Sequence, residues 1–240
     1  VGPTVVNGQA SFNQSGQVLN ITNSNGAVIN WQRFSIERGE VTRFTQPSAS
    51  SAVLNRVVTA DPSVLLGTLS SNGKVFLINP AGILVGQGAR IDVGGFVAST
   101  LNLSNADFLA GRMNFQSTPN AANVVNQGEI TTPTGGQVYL VGSNVQNSGI
   151  IRSAQGEVIL AAGNSVQLGD SSTPGVKVEI TAGENRAENL GDILAASGRI
   201  GIFAAVVRHT GSINADQVVR GENGRVMLRA KKDVNIEAGS

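Results

Sequence analysis

The sequence predicts an all-β solenoid, a right-handed parallel β-helix that occupies the length of the chain. Three observations predict it. Short segments that alternate apolar and polar residues are punctuated by glycine, stretches of text recur at a period near 20, and no segment carries the 3.6-residue period of an amphipathic helix. Composition agrees with this: of 240 residues, 30 are glycine and 40% are hydrophobic, which is too apolar for a disordered chain. Glycine and asparagine accept the left-handed backbone of tight turns, and the abundant valine and isoleucine suit pleated strands.

Residues 1–45 place strands such as Val18-Leu19-Asn20-Ile21 between the turn signals Asn7-Gly8, Ser15-Gly16 and Asn25-Gly26. This segment holds the single tryptophan, Trp31, close to Phe34, and is expected to form an N-terminal cap. Residues 46–63, rich in Ser, Thr and Pro, read as an excursion from the helix. Lys74-Val75-Phe76-Leu77-Ile78 is a buried strand stopped by Asn79-Pro80-Ala81-Gly82.

Repetition then sets in. Asn126-Gln127-Gly128-Glu129-Ile130 returns 21 positions later as Asn147-Ser148-Gly149-Ile150-Ile151. Gly136-Gln137-Val138-Tyr139-Leu140 returns after 20 as Gly156-Glu157-Val158-Ile159-Leu160, and Leu190-Gly191-Asp192-Ile193 after 20 as Thr210-Gly211-Ser212-Ile213. A unit this short buries its apolar face only by stacking on its neighbours. Leucine-rich repeats share the period but need a Leu-x-x-Leu-x-Leu pattern absent here. The stretch 167–188, with Pro174-Gly175, breaks the pattern and reads as an insertion or extra-helical hairpin. The whole chain, 1–240, is thus expected to be one domain of coils from 46 onward. Val234-Asn235-Ile236 looks like one more strand, so the chain is expected to be a fragment of a longer protein whose export signal has been removed.

The charge balance is +1, with 14% charged residues, and gives no footprint for nucleic acid. Arg220, Arg225, Arg229, Lys231 and Lys232 cluster, but Glu222 and Asp233 interrupt them, and a solvated strand face accounts for the group. With no cysteine there is no disulfide and no thiolate metal site, which is compatible with the cytosol and equally suits a chain that crosses a narrow pore unfolded after an oxidising compartment. No apolar run approaches the ~20 residues of a membrane-spanning helix.

Several segments resemble the secretion domain of two-partner-secretion exoproteins, the family of the filamentous haemagglutinin and the high-molecular-weight adhesins of Gram-negative bacteria. The likeness is carried in family order by Asn23-Ser24-Asn25-Gly26-Ala27-Val28-Ile29-Asn30-Trp31, by Ser51-Ala52-Val53-Leu54-Asn55-Arg56-Val57, and by Asn72-Gly73-Lys74-Val75-Phe76-Leu77-Ile78-Asn79-Pro80-Ala81-Gly82. Phe96-Val97-Ala98-Ser99-Thr100-Leu101 and Glu188-Asn189-Leu190-Gly191-Asp192-Ile193 extend it, and the adhesin branch is the closer. Ala81 stands where the family's Asn-Pro-Asn-Gly motif has its second asparagine, and the family's Asn-Pro-Asn-Leu motif has no counterpart.

The resemblance implies a β-helix exported to the periplasm and recognised there by the POTRA domains of an outer-membrane transporter. It further implies that the domain nucleates folding of a passenger at the cell surface. On that basis Asn79, Pro80, Gly82, Asn30, Trp31, Asn55 and Arg56 are the candidate recognition or folding positions. The domain is expected to be a monomer without cofactor, metal or nucleic acid, and any host glycan or receptor is expected to meet the absent passenger. Asn79→Ala or Gly82→Val is expected to impair export more than stability.

Blander readings stand beside these. Asn79-Pro80-Ala81-Gly82 is a turn before it is anything else, Trp31 and Phe34 suit cap packing, and Asn30 and Asn55 suit side-chain ladders or the capping of a coil. His209, the single histidine, has no second histidine to share a metal and is expected to be solvent-facing or internally satisfied. The rivals are a directly glycan-binding adhesin stalk and a polysaccharide lyase or hydrolase. An enzyme would need Asp92, Glu129, Glu157 and Asp192, spaced about one per coil, to stack into a row.

Overall fold

The computed structural model describes residues 1–119, 121–169, 184–215 and 225–237, and the backbone of 178–181. Among them the chain winds into a parallel β-solenoid of about eight turns with almost no helix. Each turn contributes one short strand to each of three sheets. The first sheet runs from Val18–Asn23 through Val41–Thr45, the start of Thr68–Ile78 and of Arg90–Ser99, then Glu129–Thr131, Ile150–Arg152, Asp192–Leu194 and Ser212–Asn214. The second runs from Ala27–Trp31 and Ala52–Val57 through the ends of Thr68–Ile78 and Arg90–Ser99. It continues with Gln137–Gly142, Glu157–Ala162 and the starts of Arg199–His209 and Arg225–Ile236. The third stacks Ser63–Leu65, Ile83–Val85, Asn123–Asn126, Asn144–Asn147 and Arg186–Asn189, then the ends of the last two long strands.

Register turns the sequence repeat into columns. On the second sheet Val53, Val75, Phe96, Val138, Val158 and Ile200 stack in line, all buried. The next inward column is Ile29, Asn55, Leu77, Ala98, Leu140, Leu160 and Ile202, likewise buried. Stacked strands lie ~4.8 Å apart, so β-branched and leucine side chains touch the coils above and below, and this vertical contact forms the core.

The period-20 glycines have a steric cause. A Cβ at Gly149 would fall 2.2 Å from the carbonyl oxygen of Gly128, and one at Gly191 would fall 2.2 Å from that of Gly149. Successive coils come too close at this corner for any side chain, which explains why the glycine recurs with each turn.

The N-terminal cap is shorter than the sequence suggested. Pro3–Asn7 pairs antiparallel with Ala27–Trp31, and Ala10–Ser15 pairs antiparallel with Val18–Asn23. These two strands cover the first coil, whereas Val18–Asn23 and Ala27–Trp31 already pair in parallel with the next coil. Residues 46–63 are not an excursion either. Ala52–Val57 is a second-sheet strand with Val53, Asn55 and Val57 facing inward, and the Ser, Thr and Pro residues that suggested a departure belong to the turns on each side.

The structure leaves the solenoid twice, both times between the second and third sheets. The first departure, after Ser99, carries Asn102–Leu103, the short helix Asn105–Leu109 and Met113–Gln116. The second carries Ser165–Leu168 and Val178–Thr181, and the solenoid resumes at Arg186–Asn189. The four strands form one antiparallel extra-helical sheet. The expected 167–188 insertion thus includes a hairpin strand, although Pro174-Gly175 lies outside the described residues and 186–189 belongs to a coil. The 102–116 departure had no sequence warning, because its alternation resembles that of a coil strand. This extra sheet covers the outer face of the second solenoid sheet and builds a second apolar cluster from Val28, Leu54, Phe76, Val97 and Tyr139 with Leu103, Phe108, Phe115 and Val166.

Candidate functional site

Asn79 ends a second-sheet strand and is fully buried. Its amide nitrogen donates to the Asp61 carbonyl and the Ser63 hydroxyl, both at 2.9 Å, while its side-chain oxygen accepts from the Ala81 N–H at 3.0 Å. Its own N–H donates to the Ser99 carbonyl, and its carbonyl accepts from the Gly82 N–H. One asparagine therefore closes its own turn and ties it to the preceding coil, which requires two donors and an acceptor on a short stem. Pro80 accepts from the Ala122 N–H through its carbonyl, and the Gly82 carbonyl accepts from Ser63 N–H. Gly82 has φ +123°, a region that side-chain-bearing residues avoid. Position 81 contributes only its N–H to this network, so alanine serves where the family motif has asparagine.

Trp31 and Asn55 lie in the core near the capped end. The Trp31 indole N–H donates to the Asn55 side-chain oxygen at 2.9 Å, and the Asn55 amide donates to the Phe76 carbonyl at 3.3 Å. Trp31 meets Phe12 edge-on at 5.7 Å and Phe34 at 5.2 Å, so the indole joins the cap to the first coil. Asn30 and Arg56 are register partners on the outward face. The Arg56 guanidinium donates to the Leu103 carbonyl at 2.6 Å and the Asn105 side chain at 2.8 Å, which pins the first extra-helical departure to the solenoid. Burial lowers its pKa from the ordinary arginine value. Arg56 Nε and Asn30 Oδ1 are both buried without a hydrogen-bond partner among the described residues.

The seven candidates fall into two groups, the 79–82 turn and the Trp31–Asn55 and Asn30–Arg56 pairs, and none is exposed. The expected ladder role of Asn30 and Asn55 is not what forms. The ladder runs elsewhere: Asn126 donates to Asn147 at 2.8 Å, Asn147 donates to Asn189 at 2.8 Å, and all three are buried. His209 continues it, with Nδ1 3.2 Å from the Asn189 amide, and is internally satisfied. The signal was in the repeat, since each ladder residue stands two before a stacked corner glycine: 128, 149, 191 and 211.

The four acids do not form a row. Glu129 and Asp192 share one register column, separated by Ile150, while Asp92 and Glu157 stand in others. Glu129 pairs with Arg152 at 3.1 Å, and Glu157 pairs with Arg199 at 3.0 Å while accepting from the Tyr139 hydroxyl. Arg225, Arg229, Lys231 and Lys232 lie exposed on the last strand, and Arg220 lies outside the described residues.

Residues 2–240 match the family model of the TPS secretion domain. The chain belongs to the TPS secretion domain family. The HMW1 secretion domain of Haemophilus influenzae superposes with a TM-score of 0.92 at 39% identity, covering 98% of this chain and 64% of that one. The filamentous hemagglutinin secretion domain shares the fold at a TM-score of 0.50 and 17% identity, over 100% of this chain and 98% of that one. A heme/hemopexin-binding protein of Haemophilus influenzae strain Rd is 32% identical over 95% of this chain. This TPS domain spans only 27% of that relative's length. TPS exoproteins pass through the periplasm and across the Gram-negative outer membrane to the cell surface or medium, and TPS domains partner with an outer-membrane transporter of the TpsB type.

Proposed function

We propose that this TPS domain is both the address and the folding template of a longer exoprotein. In this reading the POTRA domains of its transporter recognise the chain in the periplasm, and the domain then nucleates the passenger's β-helix at the cell surface. One observation carries the template half. At the N-terminal end antiparallel strands cover the first coil, and from there each coil is laid in parallel on the one before it. A coil added in this way makes only local contacts and completes a row of main-chain hydrogen bonds, so growth needs no ATP and opposes backsliding.

The address half rests on the burial of Asn79, Gly82, Trp31 and Asn55 and the half-burial of Asn30, Arg56 and Pro80. Recognition through Asn79, Pro80, Gly82, Asn30, Trp31, Asn55 and Arg56 then takes place on an extended or partly opened chain. Any host glycan or receptor contact is assigned to sequence downstream. The test is capture of the domain by immobilised POTRA domains of the cognate transporter, once from the folded domain and once from chain freshly diluted out of denaturant. Capture of the unfolded chain well above that of the folded domain is expected. Equal capture of both, or none of either, would overturn the address. For the template, a passenger-bearing chain lacking residues 1–15 is expected to be secreted poorly and to fold poorly, and unimpaired secretion and folding would overturn it.

A further inference from the structure

The seam between the extra-helical sheet and the solenoid is not filled. A cavity of about 580 Å3 remains where the end of the helix Asn105–Leu109 and the strands Met113–Gln116 and Ser165–Leu168 face the second sheet. Its volume falls among those of small-molecule sites, which are mostly apolar with a few placed polar groups. The walls are mixed: Phe76, Phe108, Met113 and Leu168 supply an apolar side, and Lys74, Gln137, Asn114 and Gln167 supply polar groups.

The register explains the opening. The outward column here reads Ala52, Lys74, Gly95, Gln137. A Cβ added at Gly95 would meet Lys74 Cγ at 3.1 Å, so the glycine leaves room for the lysine to lie across it and donate to Gln137 Oε1 at 3.2 Å.

Charge sets the ligand. Arg112, also in the wall, pairs with Asp107 at 2.7 Å. Glu157, next in the column after Gln137, is held by Arg199 and Tyr139. Lys74 has a neutral amide as its partner and makes no ion pair among the described residues. Among the described residues, a cation without a contacting counter-charge thus stands beside a cavity with one apolar wall. We propose that this seam binds a small organic monoanion with an apolar body, its carboxylate on Lys74 and its chain among Phe76, Phe108, Met113 and Leu168.

Titration of the domain with decanoate, decanol and decyltrimethylammonium, followed by amide and methyl NMR shifts, tests this. Decanoate is expected to saturate with a Kd below about 1 mM, decanol at least about tenfold more weakly, and the cation not at all, since a factor of ten is the increment expected of one partly buried ion pair. Lys74→Met should bring decanoate down to the level of decanol with the melting temperature unchanged. Ala52→Leu, which grows into the cavity from its rim, should abolish binding of both while the domain stays folded. Equal binding of decanoate and decanol by the unaltered domain would overturn the proposal. So would undiminished decanoate binding by Lys74→Met, any saturable binding by Ala52→Leu, or no saturable binding by the unaltered domain.

Discussion

Truncating the middle of the asparagine ladder is the sharpest test of how coils are held in register. Asn147→Ala removes an oxygen that accepts from Asn126 and an amide that donates to Asn189, both at 2.8 Å and both buried. Asn126 keeps its bond to the Gly128 N–H, and Asn189 keeps the contact of its amide with Gly191, but one donor and one acceptor are left with no water to replace the lost partner. Each orphaned buried group costs about 1–3 kcal/mol, so the variant is expected to lose about 4 kcal/mol. Asn144→Ala is the matched control three residues away. Its amide donates to Asn123 at 3.0 Å and its side-chain oxygen accepts from the Arg186 N–H at 2.8 Å. Both bonds are solvent-exposed, and water replaces each at a cost of about 1 kcal/mol or less. Urea unfolding followed by far-ultraviolet circular dichroism gives the two values, and Trp31 fluorescence reports the capped end separately. If Asn147→Ala costs no more than Asn144→Ala, the ladder is not a source of stability and the argument from burial fails.

Other perturbations test other parts of the fold. Asn79→Ala strips three side-chain bonds from a buried turn and is expected to cost the isolated domain about 2–4 kcal/mol by urea midpoint, contrary to the expectation from sequence that export suffers first. Gly149→Ala drives a methyl into a neighbouring carbonyl, and a cost of about 3 kcal/mol or more should lower the melting temperature by roughly 6–12 °C. Arg56→Met keeps the stem but removes both bonds to the first departure, so hydrogen exchange should accelerate in residues 102–110 while the ladder amides stay protected. Asp107 titrates below the ordinary aspartate value because Arg112 and Ser104 hydrogen-bond its carboxylate. Its contribution is therefore complete above the unfolded-state pKa and is lost as pH falls through the lower folded value, where the Arg112 Nε–H should begin to exchange faster by NMR.

Much of this architecture was legible because stacking imposes its period on the text. The glycines at 128, 149, 191 and 211 recur because coils touch backbone to backbone there, and the Val and Ile columns recur because each side chain packs on its counterpart one turn away. What stayed illegible depended on which coil a segment joins. Ala52–Val57 looked peripheral because polar turns flank it, although Asn55 faces inward to hold Trp31. Asn102–Gln116 looked like a coil because an extra-helical strand alternates apolar and polar residues just as a solenoid strand does. The cavity beside Lys74 could not be foreseen at all, since its two walls are far apart in sequence and meet only when the departures dock. Among the candidate positions, residue type was informative about chemistry but silent about exposure. Asparagine, tryptophan and arginine are apt for recognition, yet here Asn55, Asn79, Trp31 and Arg56 each satisfy a buried partner or a neighbouring main chain.

The two departures leave coils that are not adjacent. Met113–Gln116 and Ser165–Leu168 pair across the outside of the turn containing Gln137–Gly142, which lies between them. A solenoid of simple repeats frays one turn at a time, each held only by its neighbours. Here the outer strands act as a clasp around three consecutive turns, and the middle one cannot peel away until the clasp opens. The clasp also cannot shut until the chain has advanced to Ser165. Coils that form before Ser165 is in place are thus held only by their neighbours, and the clasp then joins three of them into one block.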